Sequence, residues 1–215
     1  MSPIRTAADP SKPLYRLGWL PDPLAWAPWE SIGDGRFDDP QRRFRVLYAA
    51  AQRRGAFIET LARFRPSLEF LARAAEVTGS DESLPVFTIP SAWHLKRGVG
   101  RLRVLPGQRW LDLRAPETRE TLRSELAGTL LELGLSDLDL SGVTGPTRTL
   151  TQVIARWAYE HGHAGLAYPS RFDETLTLWA IFEGAAFVTA GVPEPIEPDD
   201  ADLAATAQLF GLTRE

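Results

Sequence analysis

The chain has 215 residues, 44% hydrophobic and 24% charged, with a formal net charge of −4 and no cysteine. Length and balance suit one globular domain, or one domain with a short appendage, that buries a real core. Disulfides, thiolate catalysis and cysteine-held metal sites are excluded, and an acidic chain is a poor candidate for a broad phosphate-binding face on nucleic acid.

Residues 1–13 contain no apolar stretch of signal-peptide type and read as a flexible N-terminus. No later run reaches the length of a membrane span, so a cytoplasmic location is expected. Residues 14–19 are predicted as a strand, and the prolines of the following loop, 21–28, preclude regular structure. Gly33-Asp34-Gly35 forms a turn. Residues 44–50 have the β-branched and aromatic content of a buried strand. A helix over 55–64 follows, with Phe57, Leu61 and Phe64 on one face and Pro66 as its stop, and a second short helix covers 68–75.

Between residues 85 and 113 the pattern changes to short strands, among them 101–105 and 109–113 on either side of the Pro106-Gly107 turn. Ala115-Pro116-Glu117-Thr118 opens a long amphipathic helix reaching about residue 133, with an acid near its start where the helix dipole favours it. Another helix starts at Thr149 or Thr151 and ends near Gly162, burying Val153, Ile154, Trp157 and Ala158. Strands over 164–168 and 177–182 flank a loop at 169–174. The proline-rich stretch 191–198 reads as a linker and 201–210 as a small terminal helix, so the main domain is expected over 14–190 and a tail over 191–215. Strands and helices that do not alternate regularly indicate an α+β fold and not a doubly wound sheet.

Most mechanism-bearing motifs are missing. Gly98-Val99-Gly100 lacks the rest of a dinucleotide fingerprint, and there is no Walker loop and no His-Glu-x-x-His zinc pair. No metal site is expected. His161 and His163 fall at a helix end, where solvated, dipole-favoured histidines are the ordinary expectation. His94, after Trp93 in a short apolar segment, reads as structural. One constellation stands out. Arg36 follows a glycine-loosened turn twelve residues before Tyr48; Glu59 comes eleven residues after Tyr48, between Phe57 and Leu61; and Ser170 follows directly on a strand.

This set resembles the RES domain, a family named for an arginine, a glutamate and a serine. The matching pieces are Leu14-Tyr15-Arg16, Gly35-Arg36-Phe37, Val46-Leu47-Tyr48-Ala49-Ala50, Ala56-Phe57-Ile58-Glu59, Thr151-Gln152, Tyr168-Pro169-Ser170-Arg171 and Ala180-Ile181-Phe182-Glu183. They extend from about residue 14 to about residue 187. Each is weak alone, and their order and spacing make the match. Phe37 stands where many relatives have tryptophan, and Asp38 where asparagine or serine is more usual.

The resemblance implies a bacterial toxin that consumes NAD by hydrolysis or phosphorolysis, or a protein ADP-ribosyltransferase. It also implies a single domain resembling the ADP-ribosylating toxin fold, with mixed small sheets flanked by helices. An Xre-type antitoxin partner is implied, and NAD is a substrate, with no separate cofactor. Carried over residue by residue, Arg36, Glu59 and Ser170 are the naming trio and expected catalytic set, and Arg16 and Tyr48 fall at further pocket positions. Arg171, beside Ser170, is a further candidate for substrate binding.

Cleaving a nicotinamide–ribose bond passes through an oxocarbenium-like cation, and the leaving group is already cationic, so no strong general acid is needed. An arginine fork suits the pyrophosphate, which makes Arg36 and Arg16 the candidates. Tyr48 offers a flat face and a hydroxyl for a ribose, Ser170 one hydrogen bond, and Glu59 a charge facing the developing cation. Read singly, Arg36 is a turn arginine, Tyr48 a core aromatic, Glu59 a helix-surface charge within i,i+4 reach of Arg63, and Ser170 a loop serine. Only their joint occurrence in family order favours chemistry. The rival from another class is a catalytically inactive RES-like module that only binds a partner. Retention of every charged and polar member of the set argues against it.

Overall fold

The computed structural model describes residues 4–77 and 87–214. In chain order the elements are β1 (Thr6–Ala7), β2 (Leu14–Trp19), β3 (Val46–Ala50), α1 (Arg53–Leu61), α2 (Leu68–Val77), β4 (Phe87–Ile89), α3 (Ala92–Leu95), β5 (Arg97–Val104), β6 (Trp110–Asp112), α4 (Pro116–Glu125), α5 (Ala127–Glu132), α6 (Leu140–Thr144), α7 (Arg148–Glu160), β7 (Gly165–Pro169), β8 (Thr177–Phe182), β9 (Phe187–Thr189), β10 (Glu194–Pro195), α8 (Ala201–Phe210) and β11 (Leu212–Arg214).

A nine-stranded mixed sheet organises the chain in the order β1-β6-β7-β8-β3-β2-β5-β10, with β9 also paired to β5. Its centre is antiparallel: Tyr48 of β3 stands opposite Ala180 of β8, and Leu166 of β7 opposite the same Ala180. β6 and β7 run parallel, and β4 and β11 form a separate parallel pair. The expected α+β class holds, with one large sheet and one small one.

Alternation along the strands divides the core into two layers. Val46, Ala50, Leu166, Tyr168, Leu178 and Ala180 pack on one face, with Tyr48 against them. Leu47, Ala49, Ala167, Trp179 and Ile181 pack on the other, around the buried Trp110. The first face is covered by α1 and α7. α7 buries Leu150, Ile154, Ala155 and Ala158, the spacing of one helical face. α1 buries Gly55, Ala56, Phe57, Ile58 and Leu61, so its polar residues between Phe57 and Leu61 have little room to escape the sheet.

Several expectations change. Residues 6 and 7 of the expected flexible N-terminus pair with Leu111 and Trp110, and Asp9 accepts a hydrogen bond from the Trp110 indole at 2.8 Å. The expected linker carries β10, whose Glu194 and Pro195 pair with Val99 and Gly98 at the sheet edge. Gly98-Val99-Gly100 is therefore strand, with no phosphate-loop geometry. The terminal helix α8 packs on α1. Asp200 caps it by accepting from the amides of Asp202 and Leu203, and Arg53 of α1 bonds Asp200 at 3.0 Å and Asp202 at 2.6 Å.

The long helix expected to reach residue 133 is broken at Leu126, although Leu122, Leu126 and Leu130 continue the buried stripe across the break. His161 caps α7 as expected and stacks on Trp157. His163 is not solvated: it is 4% exposed, and both ring nitrogens lack a partner among the described residues. Burial, helped by the nearby charges of Arg109 and His161, lowers its pKa to about 4. No helix among the described residues is long and apolar enough to cross a membrane.

Candidate active site

Arg36 sits on a turn that is closed from three directions. Gly33 has φ +115°, and a Cβ on Gly35 would run into the Asp38 carboxylate and the Tyr48 hydroxyl, so only glycine fits there. Asp38 is buried and accepts from the amides of Gly33 (3.0 Å) and Gly35 (2.8 Å). The Tyr48 hydroxyl donates to its other oxygen at 2.8 Å and accepts from the Phe37 amide at 2.9 Å. From α7, Gln152 Nε2 donates to the carbonyls of Gly33 and Gly35, each at 3.1 Å, and Thr151 Oγ1 donates to the Arg36 carbonyl at 2.6 Å. The guanidinium is aimed by Nη1, which donates to the carbonyls of Val143 (2.9 Å) and Gly145 (2.8 Å) at the end of α6.

Glu59 projects from α1. Ser170 Oγ donates to its Oε1 at 2.7 Å, while Ser170 itself accepts from the Phe172 amide at 3.2 Å. Burial raises the Glu59 carboxyl above the ordinary glutamate value, and the Ser170 hydrogen bond, Arg36 and Arg171 partly oppose that rise. Among the described residues its hydrogen-bond partner is Ser170 and not Arg63, the partner that a helix-surface reading would give it.

Arg36 and Glu59 line one cavity of about 290 Å³ together with Tyr15, Arg16, Tyr48 and Tyr168. Arg16 donates to the carbonyls of Pro23 (2.9 Å) and Tyr48 (3.1 Å). Burial lowers the pKa of both guanidiniums, yet an arginine remains a cation at neutral pH.

Of the sequence-predicted residues, Arg16, Arg36, Tyr48 and Glu59 thus meet in one cleft. Ser170 does not line it and reaches it through Glu59. Tyr48 lines it, but its hydroxyl is committed to Asp38 and Phe37, which corrects the expectation of a hydroxyl open to a ribose. Arg171 lies outside the cavity, exposed, with its guanidinium over the Phe172 ring at 4.7 Å. Its remaining influence on the site is the field at Glu59 and Arg36. Asp38, Thr151 and Gln152 enter as the residues that build the turn. Phe37, the other departure from the usual pattern, is fully buried with its ring 4.5 Å from that of Tyr168.

The sequence profile of the RES domain matches residues 13–205, nearly the whole chain. The chain belongs to the RES domain family. Its fold is similar to that of a chain in the crystal structure of the M. tuberculosis MbcT–MbcA toxin–antitoxin complex, with a TM-score of 0.57 and 14% identity over 95% of this chain and 92% of that one. No curated protein matches the sequence. This RES domain therefore carries its naming arginine and glutamate in the lining of one cavity and its naming serine bonded to the glutamate.

Proposed function

We propose that this RES domain is a toxin of a toxin–antitoxin pair that consumes NAD by breaking its nicotinamide–ribose bond. The observation that carries the reading is the cavity itself, a small cleft lined by a largely buried carboxylate and two fixed guanidiniums. The volume of about 290 Å³ lies at the lower end of small-molecule sites. It suits the reacting half of a dinucleotide, with the rest across the rim.

In this reading Arg36 and Arg16 bind the pyrophosphate oxygens. Arg36 is held through one nitrogen, which leaves Nε and Nη2 for a fork onto phosphate. Glu59, ionised, faces the ribose carbon and stabilises the positive charge that grows as the C–N bond lengthens. Nicotinamide leaves as a neutral base carrying the bond's electron pair. An oxygen of water or inorganic phosphate forms the new bond to carbon and loses its proton to solvent. Ser170 keeps the carboxylate charged and oriented. Membership of the RES family and the fold shared with a chain of a toxin–antitoxin complex support the assignment as a toxin with an antitoxin partner, for which the Xre type is the family expectation.

The test is a nicotinamide-release assay on the purified protein with and without inorganic phosphate, with products identified by mass. Release with ADP-ribose or its 1″-phosphate as product is expected. Protein that binds NAD and leaves it intact, or that labels a protein instead, overturns the hydrolytic and phosphorolytic reading.

A further inference from the structure

Three tyrosines line the cavity, and they differ in what their hydroxyls do. Tyr48 spends its hydroxyl on Asp38 and the Phe37 amide, in both directions. Tyr15, on β2, is half-buried. Tyr168 is 6% exposed, and none of the hydrogen bonds between described residues uses its hydroxyl, which is not among the fully buried unpaired atoms and so keeps some access to the cavity. A phenol that is nine-tenths buried normally finds a partner. This one is also within electrostatic reach of both Arg36 and Glu59. Burial, with Glu59 adding to it, holds the phenol well above its ordinary pKa, so it is a neutral donor at any physiological pH.

Its placement follows from the strand. Tyr168, near the end of β7, packs on the face of the sheet covered by α1, and Ser170 lies just past the strand's end. Ser170 meets Glu59, and Tyr168, two residues earlier, stands against Phe37 of the Arg36 turn. The ring is fixed by packing, and the hydroxyl is left for a ligand.

We propose that Tyr168 is a substrate-contacting residue whose hydroxyl donates a hydrogen bond to a hydroxyl of the ribose held between Arg36 and Glu59. The assignment rests on the NAD reading above and moves the phenolic role from Tyr48 to Tyr168. With Tyr168 donating and Glu59 accepting, the two ribose hydroxyls have a protein group each. Such a pair distinguishes a ribosyl from a deoxyribosyl ligand, because a missing hydroxyl strands a buried polar group.

The experiment compares Tyr168→Phe with Tyr48→Phe. Tyr168→Phe loses no protein hydrogen bond, so its thermal midpoint should match wild type while kcat/KM for nicotinamide release falls about tenfold. Tyr48→Phe should lower the midpoint, because Asp38 and the Phe37 amide lose their partner. The 2′-deoxy and 3′-deoxy forms of NAD then complete a double-substitution cycle. One of the two should lose no further rate in Tyr168→Phe, which marks the hydroxyl that Tyr168 contacts. Losses that add fully for both analogues, or an unimpaired Tyr168→Phe, overturn the assignment.

Titration with ADP-ribose separates this outcome from failure of the NAD reading. A wild type that binds ADP-ribose but cleaves nothing sinks the enzymatic reading alone, and weaker binding by Tyr168→Phe would still uphold the contact. A wild type that binds neither ligand sinks both.

Discussion

On one wall of the cleft, Arg36 is fixed by groups from four segments: Asp38 and Tyr48 from its own turn and β3, Gln152 and Thr151 from α7, and two carbonyls at the end of α6. On the other wall, Glu59 has a single side-chain donor among the described residues, Ser170 at 2.7 Å. The first wall is preorganised by geometry, with the turn held by several hydrogen bonds while Arg36 keeps Nε and Nη2 for a ligand. The second is tuned by its surroundings. A carboxylate left largely to burial is destabilised as an anion, which suits a group that must answer a cation appearing only in the transition state. Anchoring and charge stabilisation are thus assigned to differently held residues of one cavity, and substitutions at each should fail differently.

The largest effect is expected at Glu59. Glu59→Gln keeps the shape and removes the charge, so kcat should drop by on the order of a hundredfold or more, with a smaller change in KM. Stability should move the other way. Burial raises the folded-state pKa above that of the unfolded chain, so the stability this group contributes is present below the unfolded value and lost as pH rises through the folded one. At neutral pH the glutamine variant should therefore melt at or above the wild-type temperature, and the difference should close towards about pH 4. A variant that melts normally and still turns over NAD at near wild-type rate would remove the electrostatic role.

Arg36→Lys tests the rigid wall. An ammonium keeps the charge but cannot hold both carbonyls and still offer a planar fork to phosphate, so kcat/KM for NAD should fall about ten- to hundredfold. Nicotinamide riboside lacks the pyrophosphate, and its weak cleavage should be nearly unaffected. Equal losses for the two substrates would place Arg36 at the ribose and pass the phosphate role to Arg16.

The same contrast separates what the sequence disclosed from what it did not. Strands of five or six residues and α7 were legible because alternation or a 3.6-residue stripe extends across them. β1, β9 and β10 are two or three residues long, too short to carry a period, and exist because a longer neighbour offers them an edge. The break at Leu126 is invisible because one residue's backbone makes it while the apolar stripe continues. Glu59 was legible as a carboxylate inside an apolar stretch. Tyr48 lines the cavity, but the commitment of its hydroxyl to Asp38 is not legible, because in the sequence Asp38 shows only as a departure from the family pattern. Tyr168 was passed over as strand core, and the available signal was its two-residue spacing from Ser170. His163 was misjudged because burial after a helix end depends on the neighbours it folds against, here Trp157.

The smallest effect, and the finest test of the sparsely held wall, belongs to Ser170. Its hydroxyl donates to Glu59, and that bond favours the ionised carboxyl against the burial that raises its pKa. Ser170→Ala removes the favourable contribution and leaves burial in place, so the Glu59 pKa should rise further. If ionised Glu59 is the competent form, the acid limb of the kcat/KM profile must shift to higher pH. The loss of rate should then be largest on the acid side and shrink to a fewfold effect at alkaline pH, where the carboxylate is charged in both proteins. The Phe172 amide also loses its acceptor, so a modest drop in melting temperature is expected alongside. A uniform loss across the whole profile, with no displacement of the acid limb, would mean that Ser170 acts by placing the loop after β7 and not through the charge of Glu59. Arg36→Lys, on the other wall, serves as the control, because its larger loss should leave the position of that limb almost unchanged.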